Sequence, residues 1–163
     1  MERKLILLLF KYEQTLISSK IFKYKKLRIK KSSLIIMTDK RFIVQLGFGV
    51  DQHGHGNNCT NAAIKAIKNA ISNNCLTGLL EICGLKDPKD LLSMKVHVQI
   101  AAPYPDTIEE KKVLKAIPFG EKSLDVVKGG MIAKGIMIKE LGDISDDILV
   151  CNAAVTVIIS MPD

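Results

Sequence analysis

The sequence predicts an α/β protein, more closely a two-layer α+β sandwich with the element order β-α-β-α-β-β and both helices on one face of a single mixed sheet. Apolar residues alternate with polar or small residues in four stretches, which is the period of a β-strand. In two other stretches they recur every three or four positions, which is the period of a helix. Since each strand has one clearly apolar face, one layer of helices is enough to cover the sheet.

The first strand is predicted over residues 42–51, FIVQLGFGVD. We expect its large apolar face to pack on the helices. The opposite face contains two glycines and two polar residues, so it has room for a ligand, another backbone or a partner subunit. The first face consists of Phe42, Val44, Leu46, Phe48 and Val50, and the second of Ile43, Gln45, Gly47, Gly49 and Asp51.

A helix follows, with caps predicted at Asn57, Asn58 or Thr60 and an end near residues 73–74. A short buried turn or helix is expected over residues 76–84, a surface turn over 86–90 and the second strand over 94–101. The second helix starts near residue 107, where Thr107 and Glu110 fit a capping box, and stops at Pro118. The third strand covers residues 123–133 and contains a bulge or close approach at residues 129–130. The fourth covers residues 148–160.

The loop that joins the first strand to the first helix, DQHGHGNNC, holds the residue types best suited to chemistry. A helix N-terminus carries unsatisfied N–H groups and the positive end of a dipole, which favour anions. The candidate catalytic residues are Asp51 and His53 as an acid–base pair, and Cys59 as a nucleophile beside a histidine. The competing interpretations are a tight structural loop and a cysteine that only packs.

Further polar residues are candidate ligand contacts, each with a structural alternative. Lys134 is otherwise a solvated strand-end lysine, and Asn152 a hydrogen-bonding residue at a subunit interface. His53 and His55 alternate and could reach one metal ion with Cys59 or His97, but this spacing also describes an ordinary turn. We therefore expect no cofactor and treat a divalent metal as a minor alternative. The candidate ligand-binding residues are Gln45, Gly54, His55, Asn58, Thr60, Lys134 and Asn152.

The positive charge of the chain is concentrated in its first 36 residues. They contain ten Lys or Arg residues against Glu2 and Glu13, whereas residues 37–163 contain the other 14 against 15 Asp or Glu. We expect a basic N-terminal extension over residues 1–36, either a targeting segment, a gene-model artefact or a membrane-surface arm, and one α/β domain over residues 37–163. The near-neutral domain offers no basic surface for nucleic acid. The apolar run Leu5–Phe10 is too short to span a membrane.

The four cysteines form no CxxC pair, which is typical of a reduced intracellular protein. We expect a cytoplasmic location, or a plastid-type or other organelle if residues 1–36 are a real targeting segment. The uncovered sheet face is predicted to be too apolar to stay in water, so a homo-oligomer, with a trimer favoured, is expected. The polar residues assigned to that face are Gln45, Asp51, His97, Gln99, Asn152 and Thr156.

Several motifs resemble the "Lin" family of short conserved hypothetical proteins of bacteria, plants and some protists. They are QLGFGVDQHG at residues 45–54, NAAIKA at 61–66, GGMIA at 129–133 and NAAV at 152–155. The resemblance covers about residues 38–159 and implies a fold but no reaction. The positions to which the family pattern points are Asp51, His53, Gly54, Thr60, Gly129, Gly130, Asn152 and Ala153.

The order of elements is also similar to that of AroH-class chorismate mutases and YjgF-like proteins, which are trimers with ligands between subunits. This similarity concerns the fold alone. Such a mutase binds a dianion with arginines, whereas Arg41 is the only arginine after Met37 here. Chorismate mutase activity is therefore not expected.

Two functional classes remain open, and the sequence does not decide whether the protein is an enzyme. The first is a small-molecule protein that binds or converts a polar or anionic metabolite at an inter-subunit site near Asp51–His55. The second is a structural or regulatory oligomer without catalysis. The first predicts polar groups converging near the loop, and the second predicts a loop that is packed shut.

Overall fold

The computed structural model of the chain describes residues 36–53 and 55–163. The predicted extension at residues 1–36 therefore lies outside the described residues, apart from Ile36. The described part confirms the α/β class, with one mixed five-stranded sheet. Its strands are β1 (Met37–Asp51), β2 (Lys95–Ala102), β3 (Glu121–Lys128), β4 (Met131–Lys134) and β5 (Asp147–Pro162). Its helices are α1 (Thr60–Ser72), α2 (Thr77–Glu81), α3 (Pro88–Ser93) and α4 (Glu110–Leu114), and 3-10 turns lie at His55–Asn57, Pro105–Thr107 and Lys139–Leu141.

The long strand β5 is the centre of the sheet. Strands β1 and β2 pair with it antiparallel on either side, and β3 pairs parallel to β2, giving the order β1-β5-β2-β3. Helix α1 packs across β1 and β5, and α4 contacts both α1 and β3. The two predicted helices therefore lie on the same face. The core between the layers combines an alanine-rich side of α1 with Val98, Ile100, Leu149 and Val155.

The predicted orientation of β1 is wrong for most of the strand. The small face packs on α1, whereas Leu46 and Phe48 are 72% and 62% exposed on the open face. A Cβ at Gly47 would overlap the carbonyl oxygen of Ala66, and one at Gly49 would overlap that of Ala62. Gln45 and Asp51 were predicted on the uncovered face, but both are buried on the helix side.

A bulge explains why Phe42 still packs on the helix side of the sheet, as predicted. The register between β1 and β5 shifts between Arg41 and Ile43, so the alternation of faces changes by one residue at Phe42. The Phe42 ring packs against Gly78 of α2, and Ile43 also contacts the core. After the bulge, the even-numbered residues of β1 face outward.

The predicted third strand is two strands joined by a bend at Gly129–Gly130. β3 runs beside β2, and the chain then passes the end of β2 and pairs with β5 as β4. Gly130 has a φ of 70°, and a Cβ there would overlap the carbonyl oxygen of Val150. The close approach predicted at these glycines is thereby confirmed.

Two local predictions between β1 and β3 are wrong. The segment at residues 86–90 is not a simple turn, because Asp87 caps the short helix α3. The capping box of Thr107 with Glu110 does not form, since α4 begins after Glu109 without a side-chain cap. The Thr107 hydroxyl donates to the carbonyl oxygen of Tyr104 instead and accepts from the backbone N–H of Cys59.

Candidate functional site

The candidate site lies where β1 ends and the loop toward α1 begins. Asp51 is the last residue of β1, pairs in register with Leu149 and is buried. His53 is two residues further on, and its side chain is 35% exposed. Gly54 and the side chain of His55 lie outside the described residues, so their predicted roles remain predictions.

The side chain of His53 meets a carboxylate that is distant in sequence. Its Nδ1 lies 3.2 Å from both carboxylate oxygens of Asp143, whose side chain is 0% exposed. The backbone N–H of Ile138 donates to Asp143 Oδ2 at 2.7 Å and fixes the carboxylate. A carboxylate that accepts from Nδ1–H leaves Nε2 as the basic nitrogen of a neutral imidazole. This is the arrangement expected of an oriented general base.

The loop around Asp143 is unusually apolar for a surface segment. The 3-10 turn Lys139–Leu141 precedes Gly142, whose φ of 86° turns the chain so that Asp143 points inward. Large apolar side chains surround this turn in the sequence yet are exposed to solvent in the single chain. They are Ile136, Met137, Ile138, Leu141 and Ile144.

Cys59 lies directly before α1, as predicted, but it is fully buried. Cys151 is also fully buried, and its Sγ lies 3.8 Å from the carbonyl oxygen of Cys59, within hydrogen-bonding range for sulfur. Burial raises the pKa of the Cys151 thiol to about 12, with smaller contributions from Cys59 and Asp51. Both thiols are free, and the structure does not expose Cys59 to a substrate. It therefore gives no support to a nucleophilic role for this cysteine.

Asn58 and Thr60 use their side chains to build the start of α1. Asn58 Oδ1 accepts from the backbone N–H of Thr60 at 2.8 Å. The Thr60 hydroxyl donates to the carbonyl oxygen of Thr107 at 3.3 Å and accepts from the N–H of Glu109 at 3.0 Å. A groove of about 230 Å³ beside them is also lined by Asn61, Glu109 and Lys112. These hydrogen bonds give the side chains of Asn58 and Thr60 a structural role.

Lys134 lies at the same end of the sheet as Asp51 but is already paired with carboxylates. Its Nζ contacts Asp146 at 2.8 Å and Asp147 at 2.7 Å. These two hydrogen bonds raise the pKa of Lys134 well above its usual value. An anionic ligand would have to compete with both carboxylates for this lysine.

The remaining candidates lie away from His53. Gln45 is six residues before Asp51 on β1, a separation of about 20 Å along a strand. Asn152 is exposed on the open face, opposite Phe48. His97 pairs in register with Thr156, which also pairs with Val44, so it lies toward the other end of the sheet. Its Nδ1 lies 3.0 Å from the hydroxyl of Ser123.

Within the described ranges, no three His, Cys, Asp or Glu side chains come close enough together to hold a metal ion. His97 is too far along the sheet to be a third ligand with His53. This finding does not test a metal site at His53 and His55, because the His55 side chain lies outside the described residues. Among the same residues, no helix has the length and apolarity needed to cross a membrane.

Sequence reasoning missed Asp143, the residue that best defines the site. It belongs to an acidic segment at residues 143–147 and lies 90 residues from its partner His53. The signal that could have found it is weak: an Asp follows a glycine in a segment that mixes charged residues with five large apolar ones.

The comparisons with known proteins agree with the motifs noted in the sequence. A solved structure, that of an FtsZ-like protein of unknown function from Nostoc punctiforme, is 45% identical in sequence. It covers 77% of this chain and is itself covered completely, with a TM-score of 0.66. No curated protein is significantly similar. The family model of a conserved hypothetical protein, Lin0512, matches residues 41–157. The chain therefore belongs to the Lin0512 family of conserved hypothetical proteins.

Proposed function

We propose that this protein is a homo-oligomer that binds a small polar metabolite beside His53 and that His53 transfers a proton to or from it. The observation that carries the proposal is the pair of a buried Asp143 with a partly exposed His53. Burying a carboxyl group is unfavourable, and here it is offset by contacts with an imidazole and a backbone N–H. The pair orients a base whose other nitrogen is the one that would act on a ligand.

The charges near the loop favour a neutral or cationic ligand over an anion. Asp51 and Asp143 both contribute carboxyl groups at this end of the sheet. Lys134, the one lysine among the predicted ligand residues, is held by two aspartates, and Lys65 Nζ is bound to the carbonyl oxygen of Val50. We therefore narrow the expected polar or anionic metabolite to a polar molecule without net negative charge.

The exposed apolar surfaces support assembly and a site at a subunit boundary. Val44, Leu46 and Phe48 form an apolar row on the open face of the sheet, where Leu46 pairs with Ala154 of β5. The other two pair with Thr156 and Asn152, so polar side chains border the row. The apolar residues around Lys139–Leu141 adjoin Asp143 itself. Exposed patches of this kind mark interaction sites. A second subunit that covered them would enclose the His53–Asp143 pair.

Native mass spectrometry of the full chain, purified without chelator, tests this proposal. The variants are His53→Asn and Asp143→Asn, with His97→Asn as the matched control, because His97 is a partly exposed histidine on another part of the sheet. Asparagine at position 143 keeps an oxygen for the N–H of Ile138. We expect an oligomer with a bound small molecule that is lost in both site variants and retained in the control. An oligomer without a ligand, or a ligand unaffected by His53→Asn, would contradict the proposal.

A structural oligomer without catalysis is the second candidate, and the exposed row on β1 favours it. Leu46→Asp places a charge in that row, and Ile82→Asp is the control, since Ile82 is 77% exposed at the end of α2. We expect sedimentation to show an oligomer that dissociates in Leu46→Asp and persists in Ile82→Asp. A monomeric parent protein would rule out both candidates in this form, whereas intact assembly without any ligand would favour the second.

A further inference from the structure

A cavity of about 180 Å³ lies toward the opposite end of the sheet from His53. It is open to solvent on one side and bounded by the C-terminal end of α1, the first residues of β2 and the segment at residues 117–119. Nine of the eleven described residues that line it are apolar, and Gln45 and Asn74 are the other two. Its volume is similar to the roughly 150 Å³ of an engineered apolar cavity that binds benzene.

Gln45 is the one buried polar residue in the wall of this cavity. The bulge at Phe42 places it on the helix side of β1, where it is 4% exposed. Its side-chain amide makes no hydrogen bond with any described residue that lines the cavity, whereas Asn74 donates to the carbonyl oxygen of Ala70. The amide nitrogen and oxygen are not sealed from solvent, so a ligand in the cavity has to offer hydrogen bonds in place of those to water. The cavity is therefore apolar except for one unused pair of donor and acceptor groups.

The lining also determines the charge of an occupant. None of the eleven lining residues is ionisable. A charged molecule would lose its hydration there without gaining an opposite charge, which strongly disfavours it. An uncharged molecule with an apolar body would gain from leaving water, and a single polar group on it would satisfy Gln45.

We propose that this cavity binds a small uncharged molecule with an apolar body of about six to nine heavy atoms and one hydroxyl, carbonyl or amide group that hydrogen-bonds to Gln45. Apolar side chains, among them Val96, Val155 and Ile117, hold the body of the ligand. Phe119, which is 45% exposed, also lines the cavity. This site is separate from the His53 site, and neither proposal requires the other.

Phenol, benzene and benzoate serve as probes, because they share one ring and differ in a hydroxyl or a charge. Binding to the full chain is followed by NMR titration of the methyl groups of Ile71 and Val155. The test variant is Gln45→Met, which keeps the length of the side chain and removes the amide. Gln99→Met is the matched control, since Gln99 is an exposed glutamine on β2 outside the cavity. A folded methyl spectrum is required of each variant, and Gln45→Leu provides a second version of the same change.

We expect saturable binding of phenol, weaker binding of benzene and none of benzoate at these methyl groups. Gln45→Met should lower the affinity for phenol about fivefold, which is the effect of one lost hydrogen bond. The affinity for benzene should stay the same or increase. Gln99→Met should change neither. Absence of saturable phenol shifts would mean that the cavity holds only water and would overturn the proposal. Equal phenol affinity in the parent and both Gln45 variants would overturn the role of the amide.

Discussion

At Gly47 and Gly49 the backbone of α1 comes so close to β1 that a side chain does not fit between them. The facing residues of the helix are Ala62, Ala66 and Ala70. Small residues on both elements allow the layers to approach, and each added methyl group would force them apart. The position of α1, and with it the loop that carries His53, depends on these two glycines.

Gly49→Ala should therefore destabilise the fold by about 3 kcal/mol, because the new methyl group overlaps the α1 backbone. Gly84→Ala is the comparison, since nothing lies within 4 Å of a Cβ there. The positive φ of Gly84 alone predicts that this substitution lowers the free energy of unfolding by about 1 kcal/mol. Urea unfolding measures both, and a loss at Gly49 no greater than at Gly84 would contradict the packing described for α1.

Cys151 should make the stability depend on pH in the alkaline range. Its pKa is raised to about 12 in the folded chain, from the ordinary value of 9.0. Between these values the unfolded chain loses the proton and the folded chain keeps it, so the free energy of unfolding falls as the pH rises, by up to about 1.4 kcal/mol per unit. Below the lower value both states hold the proton, and this contribution to the pH dependence is absent.

Urea unfolding in reducing buffer at about pH 8 and about pH 10 tests this effect. Cys151→Ala is the control, because it removes the titrating thiol and leaves the lysines and tyrosines in place. Between the two pH values, the free energy of unfolding of the parent should fall by about 1 kcal/mol more than that of the variant. Equal losses in both proteins would show that the thiol does not remain protonated in the folded state.

Alternation along β1 separates its two faces correctly, but it does not say which of them is inside. Size alone favoured the face of Leu46 and Phe48, and the bulge at Phe42 changed the alternation. The alanine-rich side of α1 carried the missing information, because a row of alanines packs best on a surface of glycines. Sequence patterns within one element could not show this complementarity between two elements.

At the scale of elements, the start of α1 and the segment before α4 form one joint. The hydroxyls of Thr60 and Thr107 hold backbone groups across it, at the N–H of Glu109 and the N–H of Cys59. The capping box predicted for Thr107 failed because this hydroxyl satisfies another helix start instead of its own. A residue type that caps locally also serves a distant helix end when the fold brings one within reach.

Thr60→Val should destabilise the protein by about 2 kcal/mol, because it leaves the N–H of Glu109 without its acceptor. Thr60→Ser keeps the hydroxyl and should cost less than about 1 kcal/mol. Thermal unfolding of the two variants gives the comparison. If serine and valine were equally destabilising, the Thr60 hydroxyl would not be what connects the two segments. That result would instead favour a role for Thr60 in ligand binding.

At the scale of the whole molecule, the positions of the strands and the single layer of helices followed from sequence periodicity, apart from the division of the third predicted strand into β3 and β4. The pairing of His53 with Asp143 did not, because it depends on how the segment around Gly142 folds back over the end of the sheet. Loops that join strands carry no periodic signal. The candidate site could be placed at the end of β1 from sequence, but its second member required coordinates.

The boundary proposed at residue 37 predicts that the chain from Met37 to Asp163 folds without the preceding residues. Near its start, Thr38 donates to Asp163 at 2.7 Å and Lys95 donates to Asp39 at 2.6 Å, so β1 is held by its own sheet. We expect the free energy of unfolding of residues 37–163 to match that of the full chain within about 0.5 kcal/mol at equal concentration. A substantially less stable fragment would place the extension within the fold.

The free edge of β1 has a consequence for how copies of this protein accumulate. Asn69 accepts from the N–H of Phe48 at 3.1 Å, and Lys65 donates to the carbonyl oxygen of Val50 at 2.7 Å, so two outward groups of this edge strand are already occupied. An incoming strand would have to displace both side chains before it could extend the sheet. Growth of the sheet from chain to chain, as in a fibril, is therefore opposed along the part of this edge between Phe48 and Val50.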